Sequence, residues 1–231
     1  MTRSKISYCI TTHNETRTLK NLLERISSIL ASGDEILIVD DYSTNPETLD
    51  IINPYNVIKH NLKQDYGKDY AKHKNIGNEH SKGDWILQCD ADELPTLILL
   101  YNIQNIIETY PDFELFYIPR INDYRGVTPE IARQWDWKLK PAVGYEHRPI
   151  VQWPDPQGRL FRNSPHIKWC GKLHETITGY SKCVCIPPGD PPDEELAIYH
   201  DSTIEEQIQH NIGYQRDFTE VERRGISNKK A

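Results

Sequence analysis

The chain has 231 residues, 27 Lys and Arg against 34 Asp and Glu, a net charge of −7, 37% hydrophobic and 26% charged residues. That length suits one domain with a substantial core, and the composition excludes a disordered chain. The acidic balance gives general nucleic-acid binding no support, and no run approaches the ~20 apolar residues of a membrane-spanning helix.

The elements alternate from the start. Ile6 to Thr12 reads as a strand, and Leu19, Leu22, Leu23, Ile26, Ile29 and Leu30 recur at helical spacing before Gly33 and Asp34 stop the helix. Glu35 to Val39 is a short apolar run, the mark of a buried parallel strand. Pro46 opens a helix through Ile52, Tyr55 to His60 is a weaker strand, and Tyr70 to His80 is a polar helix closed by Lys82-Gly83-Asp84. Trp85 to Cys89 is the next strand, Leu97 to Tyr110 a helix, and Phe113 to Ile118 a further strand. From about Pro119 the helical period fades. Short strands are expected at Arg148–Trp153, Gly158–Phe161, His166–Trp169, Lys182–Ile186 and Leu196–Tyr199, with a Pro-rich loop at 187–193. Thr203 to about Arg224 returns to helix, and the tail from Gly225 is expected to fray. This order predicts an α/β layer fold with a mostly parallel central sheet flanked by helices and a smaller mixed β lobe. Residues 1–118 would form a nucleotide-binding half and residues 119–231 an acceptor-side half of the same domain.

The Met1–Lys5 start leads into a strand-like run rather than an apolar signal core, so a cytoplasmic chain is expected. The five cysteines are odd in number and include no C-x-x-C pair, which argues against a disulfide framework or a Cys-rich zinc site. Cys9 and Cys89 lie in apolar runs and read as buried thiols, while Cys183 and Cys185 are expected on opposite sides of a strand.

Three polar clusters follow strands directly: Thr11-Thr12-His13-Asn14-Glu15, Asp40-Asp41 and Asp90-Ala91-Asp92. Ligands of open α/β sheets bind outside the carboxyl ends of the strands, so the three clusters point to one site. Each alone is equally a turn or helix cap. Alternate residues at a strand end can aim Asp90 and Asp92 into one cleft, where two carboxylates repel unless a cation lies between them. Oxygen ligands suit Mg²⁺ or Mn²⁺, which often complete their shell with substrate phosphates. The chain has neither a G-x-x-x-x-G-K loop nor a G-x-G-x-x-G, which leaves P-loop and dinucleotide folds poorly supported. A metal holding a diphosphate without a Gly-rich loop is what a nucleotide-sugar enzyme needs.

Four stretches carry a family resemblance: Ser7 to Glu15, Ile38 to Thr44, Lys72 to Gly77 and Gly83 to Glu93. In order and spacing they resemble the inverting glycosyltransferases of the family 2 type, which have the GT-A fold. The second half resembles a subgroup through Gly158 to Asn163, Trp169 to Glu175 and Tyr199 to Ser202. The resemblance implies that Thr12, Asn14 and Glu15 line the nucleotide pocket. It implies that Asp41 accepts a hydrogen bond from the pyrimidine, supported by Asp40. A carboxylate facing a ring N–H suits uracil and fits cytosine poorly. Lys72, Lys74 and Asn75 would lie near the sugar and diphosphate, although many relatives carry Arg where Lys74 stands. Asp90, with Ala91 beside the nucleotide, would approach the ribose or the metal, and Asp92 would ligate the metal. Glu175 would be the base that takes the acceptor proton; the alternative is a structural ion pair with Arg159 or Arg162. His200 matches a metal-binding histidine of many GT-A enzymes, with His174 a weaker rival.

Other residues stay open between binding and packing: Trp135 and Trp137 as sugar-stacking rings, and Arg120, Arg125, Arg148, Arg159 and Arg162 as contacts to an anionic acceptor. The expected activity is metal-dependent transfer, with inversion, from a UDP-sugar to a saccharide hydroxyl of lipopolysaccharide or capsule type. Alternatives are the same chemistry on a hydroxymethylated DNA base, or a degenerate domain that binds nucleotide or glycan without turnover. A nucleotidyltransferase is disfavoured because its Gly-rich N-terminal signature is missing.

Overall fold

The computed structural model describes residues 3–141, 149–189 and 195–220. In the first half it contains β1 (Ile6–Thr12), α1 (Leu19–Ser27), β2 (Glu35–Asp40), α2 (Pro46–Ile52), β3 (Asn56–Lys59), α3 (Leu62–Tyr66), α4 (Tyr70–His80), β4 (Trp85–Asp90), β5 (Glu93–Pro95) and α5 (Leu97–Thr109). The second half adds β6 (Leu115–Arg125), α6 (Pro129–Gln134), β7 (Leu139–Pro141), β8 (Pro149–Val151), β9 (Pro156–Arg162), β10 (Lys168–Cys170), β11 (Thr176–Thr178), β12 (Cys183–Cys185), β13 (Ile198–Thr203) and α7 (Ile204–Asp217).

One 11-stranded sheet runs in the order β3-β2-β1-β4-β9-β6-β13-β5, with β12 and the β7–β8 pair attached to β6 and a separate β10–β11 hairpin. The strands β3, β2, β1 and β4 are parallel, so their carboxyl ends share an edge. Antiparallel pairs with β9 carry the sheet into its mixed half. The strand β6 runs across residue 118, so both halves share this one sheet.

Strand periodicity divides the core. Ile6, Tyr8 and Ile10 of β1 and Trp85, Leu87 and Cys89 of β4 face one layer, which α1 and α5 close with Leu19, Leu22, Leu23, Ile26, Leu99 and Ile103. Cys9, Ile86 and Leu37 face the other, with Ile76 of α4 and Trp169 and Ile177 of the hairpin. Each such fully buried aliphatic side chain contributes roughly 1.5–3 kcal/mol. The helix α4 lies unusually close to the sheet at Gly77, where an added Cβ would run into Cys9 Sγ.

Several expectations need correction. The strand β6 is longer than the apolar run suggested, continuing to Arg125 because β13 pairs in parallel with it from Arg120 to Arg125. The elements α3, α6, β5, β7 and β11 are additional to those expected, being too short to show a period in the sequence. The last helix ends at Asp217, where Phe218 turns extended and packs on Tyr70. Cys183 and Cys185 are both exposed with Val184 half-buried between them, because residues i and i+2 of a strand share a face. Arg148, the end of the Pro-rich loop and the tail lie outside the described residues.

Candidate active site

The three polar clusters meet at the carboxyl edge of β1, β2 and β4. Parallel register places Thr12 beside Asp40 and Thr11 beside Asp90. Asp40 is fully buried and accepts the Ser43 N–H through its carboxylate at 3.1 Å. Asp41 accepts the Leu62 N–H through Oδ1 at 2.6 Å, capping α3, while its backbone carbonyl pairs with His13 Nδ1 at 2.6 Å. Asn14, at φ +54°, accepts the Thr44 and Asn45 N–H groups, both at 2.8 Å. Glu15 accepts from the Arg17 and Thr18 N–H groups at 2.8 and 3.0 Å. Asn14 and Glu15 therefore build the walls of this edge by fixing loop backbone. Thr12 is buried, and its Oγ1 has no hydrogen-bond partner.

Asp90 ends β4 in a recess that leaves its side chain 31% exposed. It accepts from Thr11 Oγ1 at 2.7 Å, Lys74 Nζ at 3.1 Å and Arg159 Nη2 at 3.0 Å. Burial pushes this carboxyl upward, but Lys74 and Arg159 outweigh it and hold it well below the usual carboxylate range. The protein's own cations thus supply the compensation that the paired carboxylates require. Arg159 also bonds Glu93 at 2.5 Å, and Arg120 bridges Glu93 at 3.4 Å and Asp155 at 2.8 Å.

Glu175 lies in the turn joining β10 to β11, just after His174 at φ +55°. Its Oε1 sits 2.7 Å from Lys74 Nζ. Burial would lower the Lys74 pKa, but Asp90 and Glu175 raise it, so the ammonium stays charged. The same Nζ lies 4.7 Å above the Trp169 ring. Asn75 clamps the hairpin to α4, donating to the Trp169 carbonyl at 2.9 Å and accepting its N–H at 3.0 Å. Both ends of its amide are therefore engaged by the hairpin. Lys72 points outward, 62% exposed, beside Asp69.

Asp92 and His200 meet because β13 pairs with both β5 and β6, setting His200 opposite Glu93 and Asn122. His200 Nε2 lies 3.2 Å from Asp92 Oδ2, and Asn122 Oδ1 lies 3.2 Å from its Nδ1. Burial pushes the Asp92 carboxyl up, His200 pulls it down further, and the net direction is downward. Among the described residues, no three His, Cys, Asp or Glu side chains gather as a metal-holding group. The donor chemistry of Asp92 and His200, one carboxylate oxygen and one imidazole nitrogen, fits a cation that takes its remaining ligands from a diphosphate and water. Asp90 fits less well, because Thr11, Lys74 and Arg159 already occupy its oxygens.

The family model described as Glycosyl transferase family 2 matches residues 7–170. The chain belongs to this family. A Haemophilus influenzae protein named as an uncharacterized glycosyltransferase is 26% identical over 114 residues, covering 49% of this chain and 38% of that protein. The SPbeta prophage-derived glycosyltransferase SunS of Bacillus subtilis is 27% identical over 178 residues, 74% of this chain and 34% of that protein. The chain thus spans little more than a third of the length of these curated relatives. Among solved structures, S. aureus TarS 1-349 aligns with a TM-score of 0.56 at 15% identity, covering 85% of this chain and 60% of that one. TarS 1-349 in complex with UDP-GlcNAc gives 0.55 at 16% identity, covering 85% and 58%. At these identities the likeness is one of fold, and it bears out the GT-A expectation. No helix among the described residues is long and apolar enough to cross a membrane.

Within this family 2 domain, the structure brings Asp90, Lys74 and Glu175 into one chain of ion pairs and sets Asp92 on His200. It places Lys72 at the surface. Glu175 does have an ion-pair partner, but that partner is Lys74 rather than Arg159 or Arg162. In the sequence Arg159 and Arg120 are undecided arginines, and Glu93, Asn122 and Asp155 carry no assigned role. All five form one buried or half-buried network under the Asp90–Asp92 turn. Their sequence signals are Arg159 inside the Gly158 to Asn163 stretch and Glu93 at the end of the Gly83 to Glu93 stretch. Trp135 and Trp137 pack edge to face on each other at 4.6 Å, and Trp137 packs on Tyr124 at 5.2 Å.

Proposed function

We propose that the chain transfers a sugar from a UDP-sugar to a saccharide hydroxyl in one inverting displacement, using a divalent cation. Residues 1–118 bind the donor, and residues 119–231 supply the acceptor side and the base. The observation that carries this reading is the buried Lys74 bond to both Asp90 and Glu175, which ties the β4 donor turn to the hairpin acid. The structural relatives bound to UDP and UDP-GlcNAc support the donor class.

Asp41 would face the uracil N–H with Oδ2, its Oδ1 being held by Leu62. Thr12 Oγ1, buried without a protein partner, is free to bond the nucleoside. Lys74 takes Oε1 of Glu175, leaving Oε2 for the acceptor hydroxyl. That hydroxyl oxygen attacks the anomeric carbon, the bond to the diphosphate oxygen breaks, and the acceptor proton passes to Glu175. Asp92 and His200 would hold Mn²⁺ or Mg²⁺, which when bound neutralises charge on the leaving diphosphate. Lys74 and Arg159 add fixed positive charge beside the same turn. Glu175→Gln tests the assignment: UDP binding by calorimetry is expected to persist while sugar transfer falls by at least about a hundredfold. Turnover near that of the unmodified protein removes Glu175 as the base.

A further inference from the structure

The helix α4 returns from the carboxyl edge of β3 to the start of β4, so its N-terminal turn lies over the nucleotide edge of the sheet. Gly77 fixes its placement: an added Cβ would meet Cys9 Sγ and lie 3.5 Å from Val39 Cγ2. His73 stands four residues earlier on the same face, about 6 Å back along the helix. Two residues onward from Cys9 and Val39, about 6.6 Å along the strands, are Thr11 and Asp41. His73 therefore sits above the pocket edge that Asp41 and Thr12 border.

His73 is 5% exposed, and its Nδ1 is buried without a hydrogen-bond partner. Burial lowers its pKa below the ordinary histidine value, against the field of Asp41, so the ring is neutral. A neutral imidazole carries one N–H and one lone pair. A buried N–H without a partner is rarer than a buried lone pair without one, which places the proton on Nε2. An apolar side chain of this size would fill the same space without leaving a polar atom unpaired.

We infer that His73 reads the nucleobase, its Nε2–H donating to a uracil carbonyl oxygen while Asp41 accepts the neighbouring ring N–H. This rests on the UDP-sugar reading and adds to it a residue of the Lys72 to Gly77 stretch to which the family resemblance gives no role. The pairing accounts for a polar ring kept where packing alone favours a hydrocarbon.

The test compares the unmodified chain with His73→Phe and His73→Leu by calorimetric titration with UDP and with pyrophosphate, alongside thermal melts. Loss of one hydrogen bond predicts UDP affinity lower by about tenfold in both variants, with pyrophosphate affinity unchanged and the melting temperature unchanged or raised. UDP affinity within twofold of the unmodified chain in either folded variant overturns the inference. In the unmodified chain, the ¹⁵N shift of His73 Nε2 is expected to move on adding UDP, and a shift that stays fixed overturns it without any variant. If the unmodified chain binds no UDP, the donor reading itself fails and the inference falls with it; binding of UDP with no effect at His73 sinks the inference alone.

Discussion

Lys74→Met tests the ion-pair chain that joins the donor turn to the hairpin acid. Methionine keeps most of the apolar stem, so packing on Trp169 is largely preserved and the charge is what disappears. The lysine side chain is 7% exposed and Glu175 15%, so at 2.7 Å their gross attraction is about 6 kcal/mol at an effective dielectric of ~20. Desolvation of both groups offsets much of that. Deleting one partner of a buried pair costs ~3–5 kcal/mol. The lower end applies here, since Asp90 is 31% exposed and retains Arg159 at 3.0 Å. A loss of about 3 kcal/mol is therefore expected, seen as a melting temperature lower by about 6–12 °C. The pH dependence separates charge from packing. Asp90 has a depressed pKa in the folded chain, so its contribution is present above the unfolded value of ~3.9 and lost as pH falls through the folded value. In the variant the depression is smaller, so Asp90 takes up its proton at a higher pH than in the unmodified chain. Urea titrations should show the full deficit at pH 7 and a narrowing deficit below about pH 4. A deficit under ~1 kcal/mol at pH 7, or one independent of pH, would refute the electrostatic account.

Asp92→Ala and His200→Ala should each weaken the Mn²⁺ enhancement of UDP binding by about tenfold or more, read by metal titration in the calorimeter. An unaltered metal titration leaves their 3.2 Å contact as a structural pair. Gly77→Ala should cost ~1–3 kcal/mol because its Cβ meets Cys9 Sγ. In a Cys9→Ala background that cost should shrink by more than ~0.5 kcal/mol, and strict additivity of the two melts would disprove the close approach. Thr203→Ala removes the capping box it forms with Glu206 at the start of α7 and should cost ~1 kcal/mol, checked by chemical denaturation.

Local signals along the chain suffice for the parallel half of the sheet and for the edge where a site would form. Ile6–Thr12, Pro46–Ile52 and Tyr70–His80 have their bounds as read, because each carries a local signal: an apolar run, a proline at the first turn, or a polar stop. Polar clusters after strands marked the carboxyl edge because a turn there needs Asp, Asn or Thr whatever its further role. What lies beyond local reach was decided by pairing between distant strands. The parallel alignment of β13 with β6 puts His200, Asn122 and Asp92 together from three separate stretches, and no local pattern encodes that register. Burial of Arg159 between Asp90 and Glu93 likewise depends on β9 lying against β4. An arginine in a short strand looks the same in sequence whether it meets water or two carboxylates. Only the folded sheet supplies the acids that make burying its charge tolerable.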